Sequence, residues 1–222
     1  MKLEPVARVE NDFPTKFGLP RQSGLGEKLL SRVVMEKTYA REDCLRGLNE
    51  FSHLWLLWGF EVPPARHATV RPPKLGGNER RGVFATRSPF RPNPLGLTVV
   101  KLEKVDITPD GAYLTVSGAD MKSGTPVYDI KPYIPYADSV PDARGGFADA
   151  HAQDRLPVDF PPSLRGLLPP EKLDGLIDAL SLDPRPPYQD DPGRIYGFGY
   201  AGKDVRFRVE GGTVHVVEIK GE

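Results

Sequence analysis

Short apolar runs separated by turn residues dominate the first 140 residues and predict a mainly β structure. The predicted strands are Pro5–Val9, Arg32–Lys37, His53–Phe60, Gly82–Thr86, Leu97–Val105, Tyr113–Gly118 and Thr125–Ile130. The run His53–Phe60 is apolar on both faces, which is typical of a central strand. Six or more short strands with few helices predict a closed or nearly closed barrel. Strict β-α-β alternation is missing, which disfavours a doubly wound sheet.

A different pattern follows and predicts a small α+β domain. Apolar residues at helical spacing predict a helix over Pro170–Leu182. Three alternating runs, Ile195–Tyr200, Val205–Glu210 and Thr213–Ile219, predict a meander that turns at Gly211-Gly212. The stretch before the helix is polar and rich in glycine and proline. We therefore predict a β-barrel domain over residues 1–140, a linker over residues 141–162 and a small C-terminal domain over residues 163–222.

The stretch Arg81–Leu97, RGVFATRSPFRPNPLGL, carries the strongest chemical signal. Its three prolines fix three φ angles, remove three backbone donors and push the preceding residues toward extended conformations. This pattern predicts a stiff surface loop that holds Arg87, Arg91 and Asn93 in set directions. Planar, permanently charged guanidinium groups suit the recognition of phosphate or carboxylate. The alternative is a proline-rich connection with solvated arginines.

Charge and cysteine content narrow the class of protein. The formal net charge is zero, but residues 71–101 hold seven basic side chains and one acidic one, a local net charge of 7 − 1 = +6. Such a block steers a polyanion toward one face, unless it is only a solvated surface. The single cysteine, Cys44, excludes an intrachain disulfide, and a short helix over Glu42–Leu48 would bury its thiol. With no apolar run of transmembrane length and no N-terminal apolar leader, we expect a cytoplasmic protein without a membrane partner.

Several common chemistries have no support in the sequence. The four histidines show no metal-ligand spacing, so we expect no metal. Gly24-Leu25-Gly26 lacks both a preceding strand and the third glycine of a dinucleotide fingerprint. Neither a Walker loop nor a Gly-x-Ser-x-Gly elbow is present.

Three loop clusters remain, namely Lys16–Gly26, Arg81–Leu97 and Ser123–Tyr133. Together they supply backbone donors, guanidinium groups, an amide, a carboxylate and aromatic faces, a set that suits a nucleotide-like ligand. Base stacking on tyrosines with arginines on phosphates is typical of RNA contacts. The alternative for the tyrosines is ordinary packing on strands.

These clusters resemble the TsaA-like family, also called the TrmO or YaeB family. The segments that carry the resemblance are PRQSGL, GLNEFSHLWLLWGF, TVRPPKLGGNERRGVFATRSPFRPNPLGLTVVKLEKV and GTPVYDIKPYIPYADS. The tail DPRPPYQ…YGFGYAGKDVRFRV resembles the C-terminal domain of bacterial members. The resemblance implies a single-sheet β-barrel and an S-adenosylmethionine-dependent tRNA methyltransferase. Its substrate would be N6-threonylcarbamoyladenosine beside the anticodon, methylated on N6. It also implies a homodimer with the cofactor site near the subunit interface.

The resemblance also assigns site residues by motif position. Cofactor contacts are expected at Gln22, Ser23, Gly24, Arg87, Leu102, Lys122, Ser123, Gly124 and Thr125. Glu61 stands where relatives often carry histidine, which argues against a cofactor role for it.

Candidate residues for binding the substrate and for removing its proton come from the side-chain chemistry of the loop clusters. Asp129 is the candidate to accept the N6 proton or to orient that N–H group, and Asn93 is the candidate to accept or donate a hydrogen bond at the base edge. Arg91, Lys131 and Tyr133 are the candidate tRNA contacts. The alternative for Asp129 is a structural ion pair with Lys131 or an arginine. A noncatalytic RNA-binding β module and a small-molecule methyltransferase of the same family remain alternative functions.

Overall fold

The computed structural model describes residues 2–72, 75, 79–151, 155–186, 189 and 191–221. Strands in its first part are β1 Ala7–Glu10, β2 Leu30–Met35, β3 His53–Gly59, β4 Thr69–Val70, β5 Arg81–Gly82, β6 Leu95–Thr108, β7 Gly111–Ser117 and β8 Pro126–Pro132. All except the β4–β5 pair form a closed antiparallel barrel in the order β1-β2-β7-β6-β3-β8. The predicted mainly β, single-sheet barrel is therefore confirmed.

Alternation along the strands divides the barrel into a packed interior and an outer wall. On β3, Leu54, Leu56 and Trp58 are buried, whereas the residues between them are partly exposed. The indole N–H of Trp58 donates to Thr98 Oγ1 at 2.9 Å inside the barrel. A Cβ at Gly96 would lie 2.2 Å from the Trp58 ring, so only glycine fits beside this side chain.

Two predicted elements of the barrel domain differ from the structure. The predicted strand Gly82–Thr86 stops at Gly82 and continues as a 3-10 turn, Val83–Ala85, because the Thr86 amide bonds back to the Val83 carbonyl at 3.2 Å. Strand β8 continues to Pro132 rather than ending before Lys131, because Lys131 and Pro132 pair with Trp55 and Leu54 of β3. The Tyr133 amide extends this pairing by donating to the His53 carbonyl at 2.9 Å.

The predicted helix near Cys44 is also shorter than expected. Helix α1 covers Glu42–Leu45 and is followed, beyond Gly47 with φ of 81°, by a 3-10 turn over Leu48–Glu50. The single turn of α1 buries Leu45 and leaves Cys44 exposed, so the expectation of a buried thiol is wrong.

The C-terminal unit, residues 155–221, has its own sheet and core. After the short helix α2 Pro135–Asp138, its elements are β9 Val158–Asp159, α3 Pro162–Arg165, α4 Pro170–Ser181, β10 Tyr196–Tyr200, β11 Lys203–Glu210 and β12 Thr213–Gly221. The sheet order is β10-β11-β12-β9, so it has four strands rather than the three predicted. The extra strand, β9, pairs in parallel with β12 and lies inside the segment predicted as a linker.

The long loop between β1 and β2 connects the two units. Phe13 and Leu29 from this loop are buried in the core of the C-terminal unit together with Leu176 of α4 and Phe198 of β10. The loop thus starts and ends in the barrel but is packed by the other unit. Among the described residues, no helix combines the length and the apolar character needed to cross a membrane.

Candidate functional site

Two of the predicted loops meet at Gln22 and Arg87. The Arg87 guanidinium donates to Gln22 Oε1 at 2.9 Å. Arg87 is held in place because the arginine-proline loop bonds to itself: Ser88 Oγ accepts from the Phe90 amide at 3.2 Å. The predicted stiffness of this loop therefore has a structural basis in its prolines and its local hydrogen bonds.

Close backbone contact fixes the neighbouring part of the β1–β2 loop. The Gly24 amide donates to the Gly118 carbonyl at 3.0 Å. A Cβ on Gly118 would lie 3.1 Å from the Gly24 Cα, and both glycines have positive φ, 75° and 78°. The loop Gln22–Gly24 is thereby placed beside the end of β7.

A carboxyl group that the sequence analysis missed lies at the same place. Asp120 accepts a hydrogen bond of 2.7 Å from Thr98 Oγ1. Burial raises the pKa of Asp120, while its bond from Thr98 and the charge of Arg87 act in the opposite direction. Asp120 therefore lies within electrostatic reach of the Gln22–Arg87 pair. One signal in the sequence pointed to it: Thr98 is a polar residue on the inward face of an apolar strand.

The predicted turn Lys122–Thr125 lies across a small cavity from Asp120. The Gly124 amide bonds to the Val9 carbonyl at 2.8 Å, and the Ser123 amide to the Phe13 carbonyl at 2.9 Å. Asp120, Lys122 and Thr125 line a cavity of about 160 Å³. The structure thus brings this turn to the same end of the barrel as the Gln22–Gly24 loop.

Glu61 closes part of this cavity. Its carboxylate lies 2.7 Å from Lys122 Nζ. The hydrogen bond from Lys122 lowers the pKa of the exposed Glu61 carboxyl.

Leu102 occupies a different environment from the other predicted cofactor residues. Its side chain is partly buried and packs against the barrel core. Val99 of the same strand instead lines a cavity of about 470 Å³ with Ser23, Gly24 and Gly118.

Asp129, Lys131 and Tyr133 lie along β8 and the residue that follows it. Asp129 and Lys131 form an ion pair of 2.9 Å, and the Ile130 amide donates to Asp129 at 3.0 Å. The Tyr133 ring lies 5.9 Å from the Trp55 ring and 6.2 Å from the His53 ring. The ion pair expected as the structural alternative for Asp129 is therefore present.

Arg91 and Asn93 lie on the outer part of the arginine-proline loop. Arg91 donates to the Thr86 carbonyl at 3.2 Å and lies 6.0 Å from the centre of the Phe84 ring, so it also braces the loop. Asn93 is exposed, and its carbonyl accepts from the Leu95 amide at 2.8 Å.

A large basic cleft adjoins the Gln22–Arg87 pair. It has a volume of about 960 Å³ and is walled partly by Pro184 and Pro186 of the C-terminal unit. Its lining contains the cations Lys16, Arg21, Arg71, Arg80 and Arg87 and the rings of Phe17, Phe90 and Phe147. Within the described part of the chain, none of these five cations is ion-paired with a carboxylate. Lys74 of the basic block lies outside the described residues.

In the part of the chain that the structure describes, no group of three or more histidine, cysteine, aspartate or glutamate side chains is placed to hold a metal ion. The polar groups of the site are instead the side-chain amide of Gln22, guanidinium groups and the half-buried carboxyl of Asp120. Such a set suits an organic ligand that carries both charges.

Comparison with known proteins assigns both units. The family model described as the tRNA-methyltransferase O N-terminal domain matches residues 8–139, and that of the TrmO C-terminal domain matches residues 153–222. The tRNA (adenine(37)-N6)-methyltransferase of Escherichia coli is 38% identical over 218 residues, which cover 94% of this chain and 93% of the relative.

A curated relative and a solved structure, both from Pseudomonas aeruginosa, are similar to almost the whole chain. One carries the words S-adenosylmethionine-dependent methyltransferase in its name and is 37% identical over 230 residues, covering 99% of this chain and 97% of its own. A crystal structure of TrmO superposes with a TM-score of 0.80 at 31% identity and covers 100% of this chain and 98% of that chain.

Proposed function

Since the chain belongs to the tRNA-methyltransferase O family, we propose that it methylates N6 of adenosine 37 in tRNA with S-adenosylmethionine as the donor. The substrate form is N6-threonylcarbamoyladenosine, and the reaction takes place in the cytoplasm, where tRNA is modified. The observation that carries the proposal is the junction of Gln22, Arg87 and Asp120 beside a basic cleft, whose cations have no carboxylate partner in the described part of the chain.

The residues at the junction fit S-adenosylmethionine. This cofactor has a carboxylate, an ammonium group, ribose hydroxyls and an adenine ring. The Arg87 guanidinium suits the carboxylate, while the half-buried Asp120 suits the ammonium group or the hydroxyls. The side-chain amide of Gln22 and the hydroxyl groups of Ser23 and Ser123 supply further polar contacts. When bound, the cofactor supplies a methyl group activated by its sulfonium sulfur, and the proposal includes no metal.

The chain's own residues orient the base and receive its proton. Methyl transfer is an in-line displacement, so correct positioning supplies much of the rate. Asp129 accepts the N6 proton, and Asn93 contacts the base edge. The ion pair with Lys131 holds the Asp129 carboxylate in a fixed direction. Arg91, Lys131 and Tyr133 contact the tRNA around the target base.

The basic cleft binds the phosphates of the anticodon loop. Arginines that have no carboxylate partner among the described residues lie beside exposed rings here, and this matches the contacts that proteins make with single-stranded RNA. Arg71 and Arg80 are exposed on the cleft wall, and Phe90 is 51% exposed. Bases can stack on these rings while the arginines neutralise the backbone.

A homodimer completes the proposal. The outer wall of β3 and β6 carries two apolar cross-strand pairs, Leu57 with Leu97 and Trp55 with Val99. Leu97 is 57% exposed on this wall. We assign this surface to a second copy of the chain, because the family resemblance implies a dimer with the cofactor site near its interface.

Two measurements test the function. Calorimetric titration with S-adenosylmethionine separates an enzyme from a noncatalytic RNA-binding module, because the module has no need of the cofactor. Mass spectrometry of tRNA nucleosides after reaction then identifies the product. Absence of binding at millimolar S-adenosylmethionine contradicts the proposed methyltransferase activity. Cofactor binding without methylation of threonylcarbamoylated tRNA favours a small-molecule methyltransferase instead.

A further inference from the structure

The C-terminal unit contacts the β1–β2 loop where that loop begins. Phe13 is buried in the core of that unit, with its ring 5.0 Å from the Tyr200 ring and 6.2 Å from the Phe198 ring. Lys172 of α4 reaches Asp12 at 2.6 Å, and the Ala201 amide donates to the Asp12 carbonyl at 3.0 Å. The loop therefore leaves the barrel already attached to the other unit.

A second attachment lies immediately before the Gln22–Gly24 loop. The half-buried Arg21 guanidinium donates to the carbonyls of Asp183 and Arg185 in the segment that follows α4. Guanidinium donors to backbone carbonyls are charge-assisted and fix direction as well as distance. Arg21 thus ties the residue next to Gln22 to the C-terminal unit.

A third attachment lies immediately after the Gln22–Gly24 loop. Arg155 donates to the Leu25 carbonyl at 2.6 Å and to Ser181 Oγ at 2.9 Å, and it also bonds to the buried Asp178. The other oxygen of Asp178 accepts from the Lys28 amide at 3.0 Å. One arginine and one buried carboxylate therefore fasten residues 25–28 to α4.

The two arginines enclose the residues that reach the site. Between Arg21 and Leu25 lie only Gln22, Ser23 and Gly24, which contact Arg87 and Gly118 on the barrel side. We propose that the C-terminal unit positions the Gln22–Gly24 loop for cofactor binding, with Arg21 and Arg155 as positioning residues on its two flanks. This inference rests on the proposed function only in naming the cofactor.

The test uses four variants and one matched control in the full chain. Arg21→Met and Arg155→Met remove the flanking bonds, while Arg21→Lys and Arg155→Lys keep the charge but not the fork of donors. Arg165→Met is the control, because Arg165 also donates to a carbonyl of the C-terminal unit, that of Phe160 at 3.3 Å, but does not bond to the loop.

The expected result is a selective loss of cofactor affinity. Removing a charge-assisted bond should raise the Kd for S-adenosylmethionine about 10-fold in either methionine variant. KM for tRNA should change less than about 2-fold in Arg155→Met, because Arg155 does not line the basic cleft. The lysine variants should fall between wild type and methionine, and the control should bind like the wild type. Equal cofactor affinity in all variants, with only Tm lowered, would overturn the proposal. A rise in KM for tRNA alone would assign Arg21 to RNA binding instead.

Hydrogen exchange of the Gly24 amide provides a readout that needs no ligand. Exchange should accelerate about 10-fold or more in Arg21→Met and Arg155→Met, because opening of the loop breaks the bond to Gly118. Wild-type exchange rates in these variants would refute the positioning itself. If instead the rates rise but wild-type protein binds no S-adenosylmethionine, the proposed function fails and the positioning of the loop stands. If a methionine variant does not fold, the matching lysine variant is measured in the same two ways.

Discussion

Arg87 donates a hydrogen bond to Gln22 at 2.9 Å and so joins two loops that are 65 residues apart in the sequence. Arg87→Met should raise the Kd for S-adenosylmethionine about 10- to 100-fold, since a bond to a charged group contributes roughly 1.5–3 kcal/mol. Calorimetric titration measures this change. Arg80→Met is the matched control, because Arg80 lines the same cleft but bonds to Thr69, and its cofactor Kd should not change. Equal losses in both variants would mean that general positive charge, not this contact, binds the cofactor.

We expect the Asp120 carboxyl to lower the stability of the fold at neutral pH and to strengthen cofactor binding. Burial raises the pKa of its carboxyl, so the folded chain holds this proton more tightly than the unfolded chain does. The free energy of unfolding contributed by Asp120 therefore falls as pH rises from about 4, the ordinary value, through the raised pKa. Asp120→Asn keeps an acceptor for Thr98 and removes this penalty. We expect it to be at least as stable as wild type at pH 7 and to bind the cofactor more weakly.

Urea unfolding between pH 4 and pH 8 measures the difference, with the exposed Asp142→Asn as control. The stability of Asp120→Asn relative to wild type should increase with pH across this window. A variant that loses stability at pH 7 would show that the ionised carboxylate stabilises the fold.

The sequence predicts the barrel, and the family resemblance assigns Gln22 and Arg87 to one cofactor site, but neither indicates Asp120 as their neighbour. Strand positions follow from local alternation, and Gln22 and Arg87 stand in distinctive motifs. The Thr98–Asp120 bond depends on how β6 meets the residues after β7, and that register is set by tertiary pairing across the barrel. Likewise, β9 has only two residues, too few to leave an alternating pattern, and it forms because β12 offers an open edge.

Matched substitutions distinguish the catalytic role of Asp129 from the role of its ion pair with Lys131. Asp129→Asn should lower kcat on threonylcarbamoylated tRNA about 100-fold or more, because general base catalysis contributes about 10²- to 10⁴-fold. Lys131→Met breaks the same 2.9 Å ion pair but leaves the carboxylate in place, so kcat should fall much less. Single-turnover kinetics at saturating cofactor distinguish the two. Near-normal turnover of Asp129→Asn would show that Asp129 is not the general base and that its role is the ion pair with Lys131.

Leu97→Glu should dissociate the proposed dimer. A charge placed on the exposed apolar wall of β6 cannot be buried against a second copy without a large desolvation cost. Light scattering coupled to gel filtration should show a dimer for wild type and a monomer for the variant. Leu30→Glu is the control, because Leu30 is similarly exposed, at 52%, but lies on β2 away from the β3–β6 pair. A monomeric wild type, or a dimer that survives Leu97→Glu, contradicts the assignment of this surface.

Arg71 and Arg80 of the basic cleft should contribute to tRNA affinity without affecting the cofactor. Each phosphate contact with a single strand contributes about 0.7 to the slope of log K against log salt, so Arg71→Gln or Arg80→Gln should reduce that slope by about this amount. KM for tRNA should rise several-fold, while the Kd for S-adenosylmethionine stays constant. Arg46→Gln is the control, because Arg46 is exposed outside the cleft and already paired with Asp43 at 2.6 Å. When an arginine that neutralises a phosphate is removed, that phosphate keeps its counterion and fewer ions are released on binding. An unchanged salt slope in the cleft variants would therefore mean that the RNA binds elsewhere.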